Sequence, residues 1–139
     1  MYYSKIYCTL PEDAKRIRET VFMKEQGFTI EFDDKDEKAT HLVLYTEADT
    51  AVGTGRFFKE EGQTYVIGRI AVLKAFRKHH CGAILLQEAE RQIRALGAKE
   101  IRLSAQVQAK GFYEKSGYTA EGEEFLDEHC PHIWMHKAL

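Results

Sequence analysis

Apolar positions along the chain alternate between two periods. Short runs with β-branched and aromatic residues, "YYSKIYC" (2–8), "HLVLYTE" (41–47), "AVGTGRFFKEE" (51–61), "TYVIGRIAVL" (64–73), "EIRLSA" (100–105) and "PHIWMHKAL" (131–139), read as strands. Between them the spacing changes to that of helices. Ile17, Val21 and Phe22 mark a first helix that fades before Gly27. Thr9 and Glu12 in "TLPE" stand at capping-box spacing, with Pro11 in its first turn. Cys81, Leu85, Ala89, Ile93 and Leu96 mark one face of the main helix, which stops at Gly97. "QVQAKGFYEKSG" (106–117) is a second, short helix. "EFDDKDEK" (31–38) has no clear period and is expected to be a solvated loop or one short helix.

This order predicts an α/β fold, a single domain over residues 1–139 with a mixed, mostly antiparallel sheet flanked by helices. Its 139 residues suffice for one sizeable core. A net charge of −2 supplies no basic field for nucleic acid. No apolar run approaches the roughly 20 residues of a membrane span. The start lacks the pattern of a signal peptide, and three cysteines without paired spacing do not suggest a disulfide framework. A cytoplasmic protein is expected.

Candidate chemistry concentrates in "RKHHCGA" (77–83), where a strand feeds a basic turn and then a helix. Unpaired N–H groups and the helix dipole make such an N-terminus an anion cradle. Arg77 and Lys78 add charge, and Gly82 allows close backbone approach. A pyrophosphate is the natural ligand, though a basic turn can also be merely a connection.

The same stretch resembles the acyl-coenzyme A loop of the GNAT superfamily of N-acyltransferases, whose signature is Gln/Arg-x-x-Gly-x-Gly/Ala. Arg77 takes the first position and Gly82 the last, with His80 where the first glycine is usual. "GRIAV" is similar to the strand that pairs with pantetheine. "LSAQVQAKGFYEKSGY" is similar to the family's later strand and helix, with Gln106 where asparagine is common. "VFMKEQG", "HLV" and "GEEF…PHIWM" extend the likeness along the chain, toward a subgroup of small bacterial members.

The resemblance implies an N-acetyltransferase that moves acetyl from acetyl-CoA to a primary amine by direct attack. The alternative is a non-catalytic acyl-CoA-binding regulatory module. The implied cofactor site comprises Ile70, Ala71 and Val72 through their main chain, Arg77, Lys78, His79, His80, Cys81, Gly82 and Ala83 in the loop, and Gln106. His80 either faces phosphate as an imidazolium or simply adopts the backbone angle of a glycine. Tyr113 would protonate the departing thiolate as general acid. "YVIGRIAV" holds no carboxylate, so Glu25 and His41 are the candidates for general base. The acidic loop would be solvated or form a lip for a cationic amine. Arg56 and Arg69 would bind a substrate carboxylate or pair with acids. His132 and His136 match no zinc template, so no metal is expected, and Trp134 and Met135 are read as closing the sheet. The partner is a small-molecule amine, with no nucleic acid or membrane, and a homodimer is allowed.

Overall fold

The computed structural model describes residues 1–139. Its strands are β1 (Tyr2–Tyr7), β2 (Thr40–Thr46), β3 (Ala51–Lys59), β4 (Thr64–Val72), β5 (Glu100–Gln106), β6 (Thr119–Asp127) and β7 (Cys130–Ala138). They form one sheet in the order β1-β2-β3-β4-β5-β7-β6. Every neighbouring pair is antiparallel except β4 with β5. Helix α1 (Glu12–Arg18) runs on into π-helical turns (Glu19–Glu25) and covers one face. Helix α3 (Cys81–Ala95) covers the other, while α2 (Lys35–Lys38) and α4 (Lys110–Lys115) are short.

Several expectations need correcting. The α1 N-cap is Pro11, and no side chain caps it, so Thr9 and Glu12 form no capping box. Leu96 lies just beyond the last turn of α3 and is exposed, while Cys81, Leu85, Ala89 and Ile93 are buried. Strand β6 was not legible in the pattern. It is an edge strand with Gly122, Glu123 and Glu124 at its centre, exposed over most of its length, so it needs no apolar face.

Strand β4 carries the feature that shapes the molecule. Its register with β3 shifts between Thr54 and Arg56, a bulge that sets Arg69 and Ile70 against Gly55. Arg69 takes a left-handed backbone, φ 55°. Side chains in an unbroken strand alternate, so positions five apart face opposite ways. Yet Ile67 and Val72 both enter the core beneath α3, whereas Ala71 packs against Ile17, Val21 and Phe22 of the α1 side. The bulge accounts for this inversion. Gly55 makes room for it, since a Cβ there would come 2.9 Å from Ile70 Cδ1. Beyond the bulge β4 leaves its parallel neighbour. Pairing with β5 covers only Thr64–Val66 against Glu100–Arg102.

The acidic segment does form one short helix, α2, and Asp34 and Glu37 are exposed, but Glu31, Asp33 and Asp36 are not simply solvated. Asp36 accepts from Arg18 and from Arg56, each at 2.8 Å. Asp33 accepts from Arg56 at 2.6 Å and Arg69 at 3.4 Å, and the Glu31 carboxylate accepts from Arg18 at 3.0 Å and pairs with Arg69 at 2.9 Å. The strand arginines therefore pair with acids. Arg18, Arg56, Glu31 and Asp36 are all buried. Each of these ions needs its partners, because an unpaired buried charge is far costlier than a missing ion pair.

The two guanidiniums hold the Asp36 carboxyl down to about 2, outweighing the burial that pushes it up. A depressed carboxyl contributes stability above its unfolded value, near ~4, and loses it as pH falls through the folded one. Asp36→Asn is expected to cost about 3 kcal/mol in denaturant unfolding at pH 7. The gap between variant and wild type should close between about pH 4 and pH 2, where the wild-type carboxylate becomes protonated. A gap that stays constant with pH would contradict this role.

Candidate functional site

The divergence of β4 and β5 opens a cleft of about 350 Å³. Residues Ile67–Val72 form one wall, and Leu103, Ser104 and Gln106 of β5 the other. Phe22, Gln26 and Phe28 close it from the α1 side, Phe112 and Tyr113 from α4. A second cavity of about 420 Å³ shares Ile67, Gly68, Arg69 and Ser104 with the first. Phe58, Phe125 and Trp134 give it aromatic walls, and Asp33, Asp127 and Glu128 line it alongside Lys35, Arg56 and Arg69.

Hydrogen bonding fixes which backbone groups face the cleft. Leu73 N donates to Val52 O at 2.9 Å. In an antiparallel pair, alternate residues turn their N–H and C=O toward the partner strand. Ala71 is therefore in bonding register with β3, opposite Thr54, while Val72 and, by alternation, Ile70 turn outward. Beyond Val66 no strand covers that edge. Of the three main-chain candidates, Ile70 and Val72 present their amides to the cleft; Ala71 contributes its side chain to the wall.

The loop is divided in the same way. Arg77 and Gly82 line the cleft. The first helical bond in α3 runs from Ile84 N to His80 O at 3.0 Å, so the N–H groups of Gly82 and Ala83 lie ahead of it. Lys78, His79 and His80 are exposed, and His79 Nδ1 meets the Tyr2 hydroxyl at 2.8 Å. Cys81 turns its thiol into the core and offers only backbone. His80 stands immediately before α3 in the left-handed region, φ 61° and ψ 21°, the angle a glycine would supply without strain.

Of the two proposed bases, Glu25 borders the cleft only through Arg77. Its Oε1 accepts from Arg77 Nη2 at 2.6 Å, while Arg77 Nε donates to Val72 O at 3.0 Å. The Arg77 hydrogen bond holds the Glu25 carboxyl below the ordinary glutamate range. His41 is buried outside the cleft, its Nε2 3.0 Å from Asp36 O, and burial lowers its pKa. Neither residue presents a free base to the cleft.

Tyr113 is placed as expected, on the cleft wall beside Phe112 and Tyr118. Its hydroxyl has no partner in the protein, and burial pushes the phenol up to about 12. That places the phenol well above an ordinary thiol, near ~8.5, in the free cleft. Tyr113 remains a protonated donor throughout the neutral range. Gln106 faces the cleft with its amide engaged, donating to Gln26 Oε1 at 2.8 Å and accepting from Gln108 at 2.6 Å.

Phe28, Ser104 and Asp127 line the cleft without having been singled out in the sequence, and His132, weighed there only as a metal ligand, lines it as well. The available signal was period two along β7. Ile133 and Met135 point to the core, so His132, Trp134 and His136 share the opposite face. Met135 closes the core, but Trp134 stacks beneath Arg102 on the cavity side, 4.5 Å from guanidinium to ring. No three His, Cys, Asp or Glu side chains are grouped to hold a metal, and no helix is long and apolar enough to cross a membrane.

Known proteins share this architecture. The family model described as "Acetyltransferase (GNAT) domain" matches residues 11–139. YjcF of Bacillus subtilis, an uncharacterized N-acetyltransferase, is 38% identical over 129 residues, 91% of each chain. The crystal structure of ElaA from Escherichia coli superposes with a TM-score of 0.86 over 99% of both chains at 23% identity. A Bacillus subtilis acetyltransferase in complex with CoA superposes at 0.80, covering 100% of this chain and 99% of that one at 16% identity. With its matched domain, its close relative and its parted parallel strands, this chain belongs to the GNAT acetyltransferases.

Proposed function

We propose that the protein is an acyl-CoA-dependent N-acyltransferase that moves acetyl from acetyl-CoA to a primary amine by direct attack. The observation that carries this reading is the uncovered edge of β4. There the outward amides of Ile70 and Val72 stand in the same cleft as the unpartnered Tyr113 hydroxyl, with the N-terminus of α3 at its mouth. The CoA held by a fold relative supports the choice of donor.

Each group then has a task. The α3 N-terminus receives the pyrophosphate on the N–H groups of Gly82 and Ala83, aided by the dipole. Arg77 reaches phosphate only by sharing its guanidinium with Glu25. Pantetheine takes the place of a strand against β4, and an outward amide polarises the thioester carbonyl where negative charge develops. Tyr113 Oη donates to the sulfur as the carbon–sulfur bond lengthens. A phenol near 12 is a weak acid toward a free thiolate, so the donation matters most in the dry cleft, where the thiol's own pKa also rises. The amine enters from the second cavity, whose aromatic walls favour an apolar body and, through their ring faces, a neighbouring cation. A regulatory module would bind acyl-CoA in the same place without releasing thiol.

Three outcomes test these assignments. Gly82→Val should fold normally, since a Cβ there meets only Phe112 carbons at 3.5 Å or more, yet it should lose acyl-CoA binding in calorimetry. Unchanged affinity would remove the pyrophosphate from this turn. His80→Gly should stabilise the protein by about 0.5–1 kcal/mol by relieving a left-handed residue, and bind CoA at least as tightly at both pH 6 and pH 8. Weaker binding, selectively at pH 6, would instead assign the imidazole to phosphate. Tyr113→Phe should lower kcat and kcat/KM alike by about 10²–10⁴-fold with CoA binding unaltered. Wild-type kcat with chemistry rate-limiting would remove Tyr113 from the mechanism.

A further inference from the structure

An alkylamine arrives mostly as an ammonium at neutral pH, so attack on a thioester needs a proton acceptor on the cleft wall. Glu25 and His41 do not provide one there. We propose that His132 is the general base, taking the acceptor's proton at Nε2; this rests on the N-acyltransferase reading above.

The ring's surroundings fix its tautomer. His132 Nδ1 lies 2.9 Å from the carbonyl oxygen of Cys130. A carbonyl only accepts, so Nδ1 must carry the hydrogen, and the neutral ring keeps its lone pair on Nε2. That nitrogen makes no hydrogen bond to the protein. Packing fixes the ring's place. Phe28 meets it edge to face at 6.3 Å, and Phe125 stacks on it at 6.0 Å between centroids. Phe28 belongs to the thioester cleft and Phe125 to the second cavity, so the imidazole stands between the two chambers. Donor and acceptor must meet at that junction.

The other titratable groups of the cleft are less suited. Burial raises the Glu31 carboxyl, but Arg18 at 3.0 Å and Arg69 at 2.9 Å both occupy its Oε1, and Arg69 and Arg77 are cations. Tyr113 is already assigned to the sulfur. Asp127 stands exposed at the end of β6, and His129 packs on Phe28, 5.0 Å between ring centroids, without lining either cavity. Imidazole is also the side chain whose ordinary range of titration matches a base working near neutrality.

His132 Nε2 takes one proton from the ammonium, freeing the nitrogen lone pair. The nitrogen attacks the carbonyl carbon, the carbon–nitrogen bond forms and the carbon–sulfur bond breaks. Sulfur takes a proton from Tyr113 Oη, and the second surplus proton on nitrogen restores the phenol. The imidazolium returns its proton to solvent. Ammonium and acetyl thioester become amide, thiol and one released proton.

The test uses acetyl-CoA with 2-phenylethylamine, chosen for the aromatic walls, or with whichever panel amine the wild type acetylates fastest. His132→Ala and His132→Gln should lose about 10²–10³-fold in kcat, with acetyl-CoA binding unchanged by calorimetry. The acidic limb of kcat/KM for the amine should vanish in both, although Glu31, Asp127 and Tyr113 remain. Methoxyamine, neutral at pH 7, has no ammonium proton to lose first and should suffer a much smaller deficit. Nitrogen NMR of the wild-type ring should show neutral His132 protonated at Nδ1. Wild-type kcat with an unchanged acidic limb in the variants would overturn the base assignment and leave the enzyme reading intact, as would a ring protonated at Nε2. Absence of turnover by the wild type with every amine, despite CoA binding, would overturn the enzyme reading itself and the base with it.

Discussion

The parting of two parallel strands is the constraint on which the molecule depends. β4 and β5 share only three paired positions, after which β4 keeps its bonds to β3 and turns a bare edge outward. A bare backbone edge inside a protein is costly unless something occupies it. Here it faces a cleft of a size suited to a bound chain of atoms, with Tyr113 on one wall and His132 on another. The bulge at Arg69 sets the side-chain inversion that sends Val72 beneath α3 and Ala71 toward α1.

That bulge is held by charge. From its left-handed position Arg69 donates through Nε to the Glu31 carbonyl oxygen at 3.1 Å, and the same nitrogen stands 2.9 Å from the Glu31 carboxylate. Glu31 in turn binds Arg18, Arg18 binds Asp36, and Asp36 binds Arg56 of the neighbouring strand. One buried network thus ties α1, the segment around residue 31, β3 and the bulge together. It also brings Glu31 to the cleft wall, where burial raises its carboxyl's pKa against the pull of Arg69 and Arg18. On the opposite side, Glu128 accepts from the backbone N–H groups of Thr29 and Ile30, each at 2.9 Å, fastening the β6–β7 turn to the same segment. Phe28 and His132 are juxtaposed by that fastening.

Strands β2 to β5 and β7 were legible because each buries apolar side chains, β1 by its aromatic and β-branched residues although none of them is buried, and α3 because its buried stripe recurs at helical spacing. β6 was not, since an edge strand carrying Gly122, Glu123 and Glu124 has no face to bury. The strand-to-helix passage from Arg77 to Ala83 was legible, and the left-handed His80 agrees with a glycine's place in the motif. The acidic segment misled because charge density reads as solvation; the partners of Glu31, Asp33 and Asp36 lie about 13 to 38 residues away in sequence. His41 and Glu25 were attractive as residue types, but their partners, Asp36 O and Arg77, are contacts made only by the fold. His132 was visible only as an oddly placed histidine, since its meaning depends on the carbonyl that fixes its tautomer and the phenylalanines that fix its ring.

The central claim is that the bare edge of β4 receives the acyl donor. A crystal structure of the acetyl-CoA complex tests it most directly. The account predicts pantetheine hydrogen-bonded to the outward backbone of β4, the thioester carbonyl at an amide of Ile70 or Val72, the sulfur within hydrogen-bond reach of Tyr113 Oη, and pyrophosphate at the N-terminus of α3. A donor bound elsewhere, with the β4 edge left empty, would contradict it.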